Sequence, residues 1–358
     1  YFKQTLASGV IPQVTGIFGT CGGGMAVVPA LTDFTFIESK KGKMFVNSPN
    51  ALEGNHIDKC DTSDAAFQSS ETGLIDGVGT EDEILEKIRE LISYLPSNNE
   101  DSDAYMECTD DLNRVCEDIA NCTGDTAIAL SRIADNEQFF EIKPDFGKDI
   151  AAGFIRLNGA TVGAVANRSE IYDAQDNKSE ELDGSLSARG ARKAADFVKF
   201  CDAFQIPVLT LTNVTGFKAD KCNERTLAAS LGQLVHAFAD ATVPKVNVIV
   251  GKAFGSAYTV MNSKALGADM VYAWEDAQIG MMDASLAAKI MYAGADAATL
   301  NEKAAQYKEL QSSVESAAQR GYVDTIISPA DTRKYVIGAF EMLFTKREAR
   351  PSKKHTTV

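Results

Sequence analysis

The sequence predicts an α/β fold built on a duplicated strand–turn–helix unit, on three observations. Short apolar runs alternate with amphipathic helical stretches from about Thr126 onward. A Gly-rich motif recurs at a constant offset, pairing positions 12/244, 14/246, 19/251 and 23/255. The composition is that of a packed globular protein, with 45% hydrophobic and 24% charged residues over 358 positions. At roughly 100–200 residues per domain, that length accommodates two domains.

In chain order, Tyr1 to Val10 reads as the end of a helix stopped by Gly9, and Pro12 to Phe18 as a buried strand. A buried parallel strand needs partners on both sides, so further strands of the same domain are expected upstream. Glu81 to Tyr94 carries Ile84, Leu85, Ile88, Leu91 and Ile92 at helical spacing, with Thr80 as N-cap and Pro96 just beyond the end. Ser97 to Asp103 is polar and acidic with no apolar anchor, and marks a domain boundary. The expected division is a first domain at 1–100, a linker at 101–125, a second domain at 126–346 and a basic, frayed tail at 347–358.

Apolar runs flank Asn158-Gly159 within 155–165, a two-residue turn that tolerates positive φ and signals a hairpin. Ser187 to Phe204 and Leu227 to Ala241 read as helices. Pro207 to Val214 and Val246 to Val250 read as buried strands. Strands alternating with helices imply parallel crossover units.

Thirty-five basic against fifty acidic residues leave a formal charge of −15. Such a surface repels phosphate backbones and anionic headgroups, which argues against nucleic-acid or membrane-surface binding. It leaves room for a small anionic ligand held by a few local Lys or Arg residues. Seven cysteines with no close CxxC pair resemble reduced thiols, and three histidines give no basis for a metal cage. No run reaches the ~18 apolar residues of a membrane span, and no signal peptide is evident, so the default location is the cytoplasm.

The repeat carries the functional argument. Pro12-Gln13-Val14-Thr15-Gly16-Ile17-Phe18-Gly19-Thr20-Cys21-Gly22-Gly23-Gly24 is matched by Pro244-Lys245-Val246-Asn247-Val248-Ile249-Val250-Gly251-Lys252-Ala253-Phe254-Gly255-Ser256. Each copy continues through small residues to Ala-Leu (Ala30-Leu31, Ala265-Leu266), an Asp and a short apolar strand. A repeat of this length indicates a duplicated supersecondary unit. Glycine lets a ligand approach the main chain, and the first N–H groups of a helix lack internal partners. Two such turns offer two oxyanion holes. Tight strand–helix packing uses glycine equally well, and for a single copy the two readings are balanced. Neither GxGxxG nor GxxxxGK[ST] is present to favour a phosphate loop.

At these residues the sequence resembles the carboxyltransferase family that includes propionyl-CoA carboxylase β subunits. Thr20-Cys21-Gly22-Gly23-Gly24-Met25 is similar to the family's PCAGGA turn, and Pro29-Ala30-Leu31-Thr32-Asp33-Phe34 matches its PALTDF. Lys252-Ala253-Phe254-Gly255-Ser256-Ala257-Tyr258-Thr259-Val260-Met261 is similar to its KAYGGAYDVM. Further matches are Phe200-Cys201-Asp202-Ala203-Phe204 and Ala241-Thr242-Val243-Pro244-Lys245-Val246.

The resemblance implies tandem crotonase-like domains, the first incomplete at its N-terminus. It implies a homo-oligomer, commonly a hexamer, whose site lies between the first domain of one subunit and the second of another. The substrate would be an acyl-CoA, and biotin would arrive on a biotin carboxyl carrier protein. Biotin carboxylase, or the membrane subunits of a decarboxylase, would be the other partner. Carried over residue by residue, amides at Gly23 and Gly24 would hold the thioester oxygen. Those at Ser256 and Ala257, beside Gly255, would hold the biotin ureido oxygen. Thr259, Tyr258 and Met282 would line the acyl pocket, and Gly216 and Phe217 the biotin site. No metal is implied.

The sequence departs from the family at Thr215, where PGF is usual, at Ser230-Leu231-Gly232, at Asp283 and at Gly73 to Gly77. A biotin-independent hydratase or hydrolase with Asp283 or Asp76 as base, and an inactive scaffold subunit, stand as alternatives. Cys21, His236, Lys252 and the cluster Lys40, Lys41 and Lys43 each carry both a functional and a packing or solvation reading.

Overall fold

The computed structural model describes residues 1–101, 104–173, 175, 177–351 and 353. The first half contains β1 (Val14–Ile17), β2 (Thr20–Gly22), β3 (Phe34–Glu38), β4 (Lys43–Phe45) and β5 (Gly77–Gly79). A parallel sheet runs β1-β3-β5, and β2 pairs with β4 beside it. The expected buried strand at 12–18 forms over Val14–Ile17, but only Ile17 in it is buried, whereas all five residues of β3 are. The reason is position: β1 pairs on one side only, and β3 on both.

The helix Glu81–Tyr94 forms as its spacing predicts. Thr80 Oγ1 accepts from Glu83 N while the Glu83 carboxylate accepts from Thr80 N, a reciprocal capping box. Its buried stripe is Ile84, Leu91 and Tyr94.

The second half contains β6 (Phe139–Ile142), β7 (Ile150–Leu157), β8 (Ala160–Asn167), β9 (Glu170–Tyr172), β10 (Lys178–Glu181), β11 (Ser185–Leu186), β12 (Val208–Val214), β13 (Gly216–Phe217), β14 (Lys245–Phe254), β15 (Met270–Trp274), β16 (Gln278–Gly280) and β17 (Thr325–Ile327). The large sheet has the order β17-β15-β14-β12-β8-β7-β6, with β16 pairing the far end of β14. Strands from β8 to β17 in that sheet run parallel, and β6, β7 and β8 are antiparallel neighbours. Asn158 and Gly159, at φ 51° and 77°, close the predicted hairpin between β7 and β8.

Alternate residues of β14 face opposite layers. Val246, Val248 and Val250 pack with Leu130, Ile133, Val336 and Ile337, while Ile249 and Ala253 pack with Ala194, Phe197, Leu234 and Phe238. Helices Thr126–Ile133 and Thr332–Leu343 thus cover one face, and Ala188–Ala203 and Leu227–Asp240 the other. The second core continues into the first half. Phe34 meets Phe154 and Phe200 edge-on at ring separations of 6.0 and 4.8 Å, and Tyr94 stacks on Phe154.

Residues 102 and 103 of the expected linker lie outside the described residues. On either side the chain is anchored: Asn99 N donates to Val10 O, Tyr105 bridges to Ala160, and Cys116 and Ile119 are buried with Leu130 and Val336. Residues 352 and 354–358 of the tail also lie outside the described residues. The part before them differs from the frayed segment expected. Arg350 donates to the carbonyls of Ala239 and Asp240, and Lys353 pairs with Asp240 at 2.7 Å. Cations are drawn there because the last carbonyls of helix Leu227–Asp240 form the negative end of its dipole.

Two backbone ties repeat in the two halves. Gln13 N donates to Asp33 Oδ2 at 2.7 Å and Asp33 N returns to Gln13 O at 2.9 Å. Lys245 and Asp269 make the same pair at 2.7 and 2.9 Å. The sequence repeat is therefore a structural one.

Candidate active site

Each copy of the motif ends in a corner. In the first, β2 pairs Gly22 with Phe45 and the chain turns into a 3-10 helix, Gly23–Val27. In the second, β14 pairs Phe254 with Gly280 and turns into the helix Gly255–Val260. Gly23 has φ +61° and Gly255 φ +58°, the same left-handed conformation at the registered position. Only glycine adopts it without strain. A Cβ on Gly23 would meet nothing within 4 Å, whereas one on Gly255 would lie 3.0 Å from Met281 O. Neither corner has a side-chain cap, so no side chain of the capping residue satisfies the leading amides.

Gly24 and Ser256 are exposed, Gly23 and Gly255 half-buried, and Ala257 and Tyr258 buried. Both corners therefore open outward. Thr259 is exposed, its Oγ1 3.4 Å from Gly255 O, and half-buried Met282 lies two residues beyond β16. β13, carrying Gly216 and Phe217, packs against the helix Gly255–Val260. The structure thus gathers Gly216, Phe217, Gly255, Ser256, Ala257, Tyr258, Thr259 and Met282 into one neighbourhood. Gly23 and Gly24 stand on the other half of the chain.

Two hollows lie elsewhere. One of about 760 Å³ is lined by Tyr272, Lys334, Tyr335 and Met342, and one of about 360 Å³ by Lys199, Asp202, His236 and Asp240. Neither includes a corner residue. Exposed apolar side chains flank the corners instead: Met25, Val27 and Val46 near the first, and Met281, Leu286, Ile290 and Met291 near the second.

The remaining candidates resolve individually. Burial pushes the Cys21 thiol up, which disfavours the thiolate a nucleophile needs. His236 lies on helix Leu227–Asp240 at the smaller hollow, with Nδ1 buried and without a hydrogen-bond partner among the described residues. Lys43 pairs with Asp61 at 2.7 Å. Asp283 caps helix Ala284–Met291 by accepting from Ser285 N and Leu286 N. Asp76 is buried and accepts from Thr35 N. Those last two carboxylates are engaged structurally, not aimed at a corner amide.

Two residues, Tyr1 and Asn213, escaped the sequence reading, and the expected pocket residue Tyr258 shows a feature the sequence did not reveal. Tyr1 Oη donates to Gly24 O at 2.5 Å, against the first corner. Tyr258 Oη is buried without a partner among the described residues, and desolvation pushes its phenol up to about 12. Asn213 Oδ1 accepts from Lys252 N at 3.0 Å and sits where a Cβ on Gly251 would be, 2.7 Å away. It wedges into β14 where the strand changes partner. The one available signal for Asn213 was an amide inside a strand of otherwise aliphatic and threonine residues.

Comparison with known proteins gives the family of the chain. The carboxyl transferase domain model matches residues 1–358. A propionyl-CoA carboxylase beta chain of Saccharopolyspora erythraea is 37% identical over 386 residues, covering 99% of this chain and 69% of the relative. A methylmalonyl-CoA decarboxylase subunit alpha of Propionigenium modestum is 34% identical over 376 residues, covering 100% of this chain and 71% of the relative. Among solved structures, transcarboxylase 12S, a hexamer crystallised with hydrolysed methylmalonyl-coenzyme A, superposes with a TM-score of 0.89 at 34% identity, over 99% of this chain and 70% of its own. The chain belongs to the carboxyltransferase family of the biotin-dependent acyl-CoA carboxylases and decarboxylases.

Proposed function

We propose that this chain moves a carboxyl group between biotin and the α-carbon of an acyl-CoA thioester, using the main-chain amides of its two glycine corners to hold developing negative charge. The observation that carries this reading is the matched left-handed geometry of Gly23 and Gly255 at two outward-facing, uncapped turns. Carboxybiotin supplies the carboxyl group and, through its ureido nitrogen, the base for the α-proton. The amides of Gly23 and Gly24 hold the thioester oxygen as it gains enolate character. Those of Ser256 and Ala257 hold the ureido oxygen of biotin. Gly216 and Phe217 shape the biotin side, and Thr259, Tyr258 and Met282 the acyl side. Preorganised donors of this kind are typically worth ~3–4 kcal/mol each in the transition state, and the cofactor carries the rest of the chemistry.

Residues 1–100 and 126–346 act as two tandem crotonase-like domains joined by 101–125, with 347–358 as a tail. The exposed apolar side chains beside both corners are the surface that another copy covers, joining first and second corners across subunits of a homo-hexamer. A biotin carboxyl carrier protein delivers biotin. A biotin carboxylase, or the membrane subunits of a decarboxylase, completes the complex in the cytoplasm. No helix among the described residues is long and apolar enough to cross a membrane.

The test is carboxyl transfer from a panel of thioesters, methylmalonyl-CoA and malonyl-CoA among them, to free biotin by the purified protein. Transfer from at least one thioester is expected. Absence of transfer from all of them, with thioester binding intact, overturns the reading.

A further inference from the structure

We infer that Asp183 is a positioning residue for the biotin side of the site, acting through Lys218 to fix the segment Thr215-Gly216-Phe217; this rests on the carboxyltransferase reading above. The segment leaves β12 and must present Gly216 and Phe217 to the helix Gly255–Val260, yet as β13 it pairs with β11 alone. Phe217 also packs against the main core, but among the described residues the strand pairing of the segment comes from one strap, residues 183–187.

The strap holds the segment at both ends. Thr215 N donates to Gly184 O at 3.0 Å and Thr215 Oγ1 to Asp183 O at 3.3 Å. Ser185 and Leu186 pair in parallel with Gly216 and Phe217, and Lys218 N donates to Leu186 O at 2.9 Å. Lys218 Nζ then reaches back to Asp183 Oδ2 at 2.6 Å and closes the loop. Asp183 is the node of this arrangement, because its Oδ1 also accepts from Ser185 N at 3.0 Å and Ser185 Oγ at 2.5 Å.

The strap itself is fixed at its far end. Ser187 N and Oγ both donate to the Asp149 carboxylate at 2.7 Å, and Ser187 caps the helix Ala188–Ala203. Gly184, at φ +71°, turns the chain so that Asp183 faces Lys218. Although burial pushes the Asp183 carboxyl up, the bonds from Lys218 and Ser185 outweigh it and hold it down at about 2. The clasp is therefore charged throughout the working pH range.

Exposed ion pairs contribute little to folding stability, so stability is the wrong readout and biotin KM the right one. Carboxyl transfer from methylmalonyl-CoA to free biotin is measured for the parent protein, Asp183→Asn, Lys218→Met and the double variant. Asp183→Asn keeps an acceptor for Ser185 and removes only the charge. Each single variant is expected to raise the KM for biotin about five- to tenfold, with the KM for methylmalonyl-CoA and kcat within twofold of the parent. The double variant is expected to be no worse than either single one, since partners in one contact are not additive.

An unchanged biotin KM in Asp183→Asn overturns the inference, as does a double variant whose defect is the product of the two. The second result would mean that Lys218 meets biotin directly. A parent protein that transfers nothing from methylmalonyl-CoA or any other thioester overturns the carboxyltransferase reading and the clasp with it. A parent that transfers while the variants behave like it overturns the clasp alone.

Discussion

Asp76 and Asp324 make the same tie in the two halves of the molecule, one buried and one at the surface. Thr35 N donates to Asp76 Oδ2 at 2.7 Å and Asp76 N returns to Thr35 O at 2.7 Å. Val271 N and Asp324 repeat the pattern at 2.7 and 2.8 Å. Asp324 pairs with Lys264 at 2.7 Å with its side chain 32% exposed, whereas the Asp76 side chain is 1% exposed and lies 3.9 Å from Lys143 Nζ. The difference is made by the second half of the chain packing over the first. Lys143 also donates its Nζ to Gly73 O and its N to Asp76 O.

That burial gives a pH signature. Desolvation pushes the Asp76 carboxyl up from 3.8 to about 6, against the pull of Lys143, the Thr35 amide and Lys193, with Asp33 adding to the rise. A carboxyl raised in the folded state binds its proton more tightly there. Its contribution to stability is fully present below about 4 and is lost as pH rises to about 6. Asp76→Asn removes this titration, so its stability curve is expected to lack the fall between pH 4 and 6. The difference from the parent across that window is on the order of 3 kcal/mol at most. Denaturant unfolding at several pH values measures it, and parallel curves for the two proteins contradict the assignment.

In the proposed reading, Thr259 selects the acyl group. It is exposed one turn after Gly255, and in the proposed reading bulk added there enters the acyl side. Thr259→Ile is expected to lower kcat/KM for longer acyl chains relative to shorter ones by about tenfold, within the 10–200-fold that a methylene-sized change commands. The KM for biotin should not move. Competition between two thioesters in one reaction reads the ratio directly.

The capping box at Thr80 sets a stability reference away from the chemistry. Thr80→Ala removes the acceptor for Glu83 N, and a loss of about 1 kcal/mol is expected. Carboxyl transfer at a temperature well below unfolding should be unaffected. A loss of activity without a loss of stability would tie this helix to the site.

The features legible in the sequence were those fixed by local chemistry. Glu81–Tyr94 has its bounds because a capping box, an apolar stripe and Pro96 all lie within one segment. The β7–β8 hairpin is written in Asn158-Gly159 because few dipeptides accept two successive positive φ angles. The corners were visible because a duplicated motif testifies twice. Tertiary partners were harder to see. β1 reads as a buried strand, but its exposure depends on how many neighbours it has. The tail reads as loose because its basic residues reveal nothing of the helix carbonyls they meet. The strap at 183–187 has no periodicity, since its two paired residues contact a segment some thirty positions away. Asp76 reads as a candidate base because a sequence does not show that Thr35 already holds it.

The central claim is that main-chain amides at the two corners turned by Gly23 and Gly255 do the charge-stabilising work, and kcat for Gly23→Ala and Gly255→Ala tests it most directly. Each variant must abandon the left-handed φ or carry its strain, and at Gly255 the new Cβ also presses on Met281 O. Misaligning one donor that acts in the transition state should cost 10²–10³ in kcat with little change in either KM. With methylmalonyl-CoA and free biotin as substrates, a fall of at least a hundredfold in both variants, while both remain folded, is the predicted result. Retention of kcat within a few-fold by either variant contradicts the account.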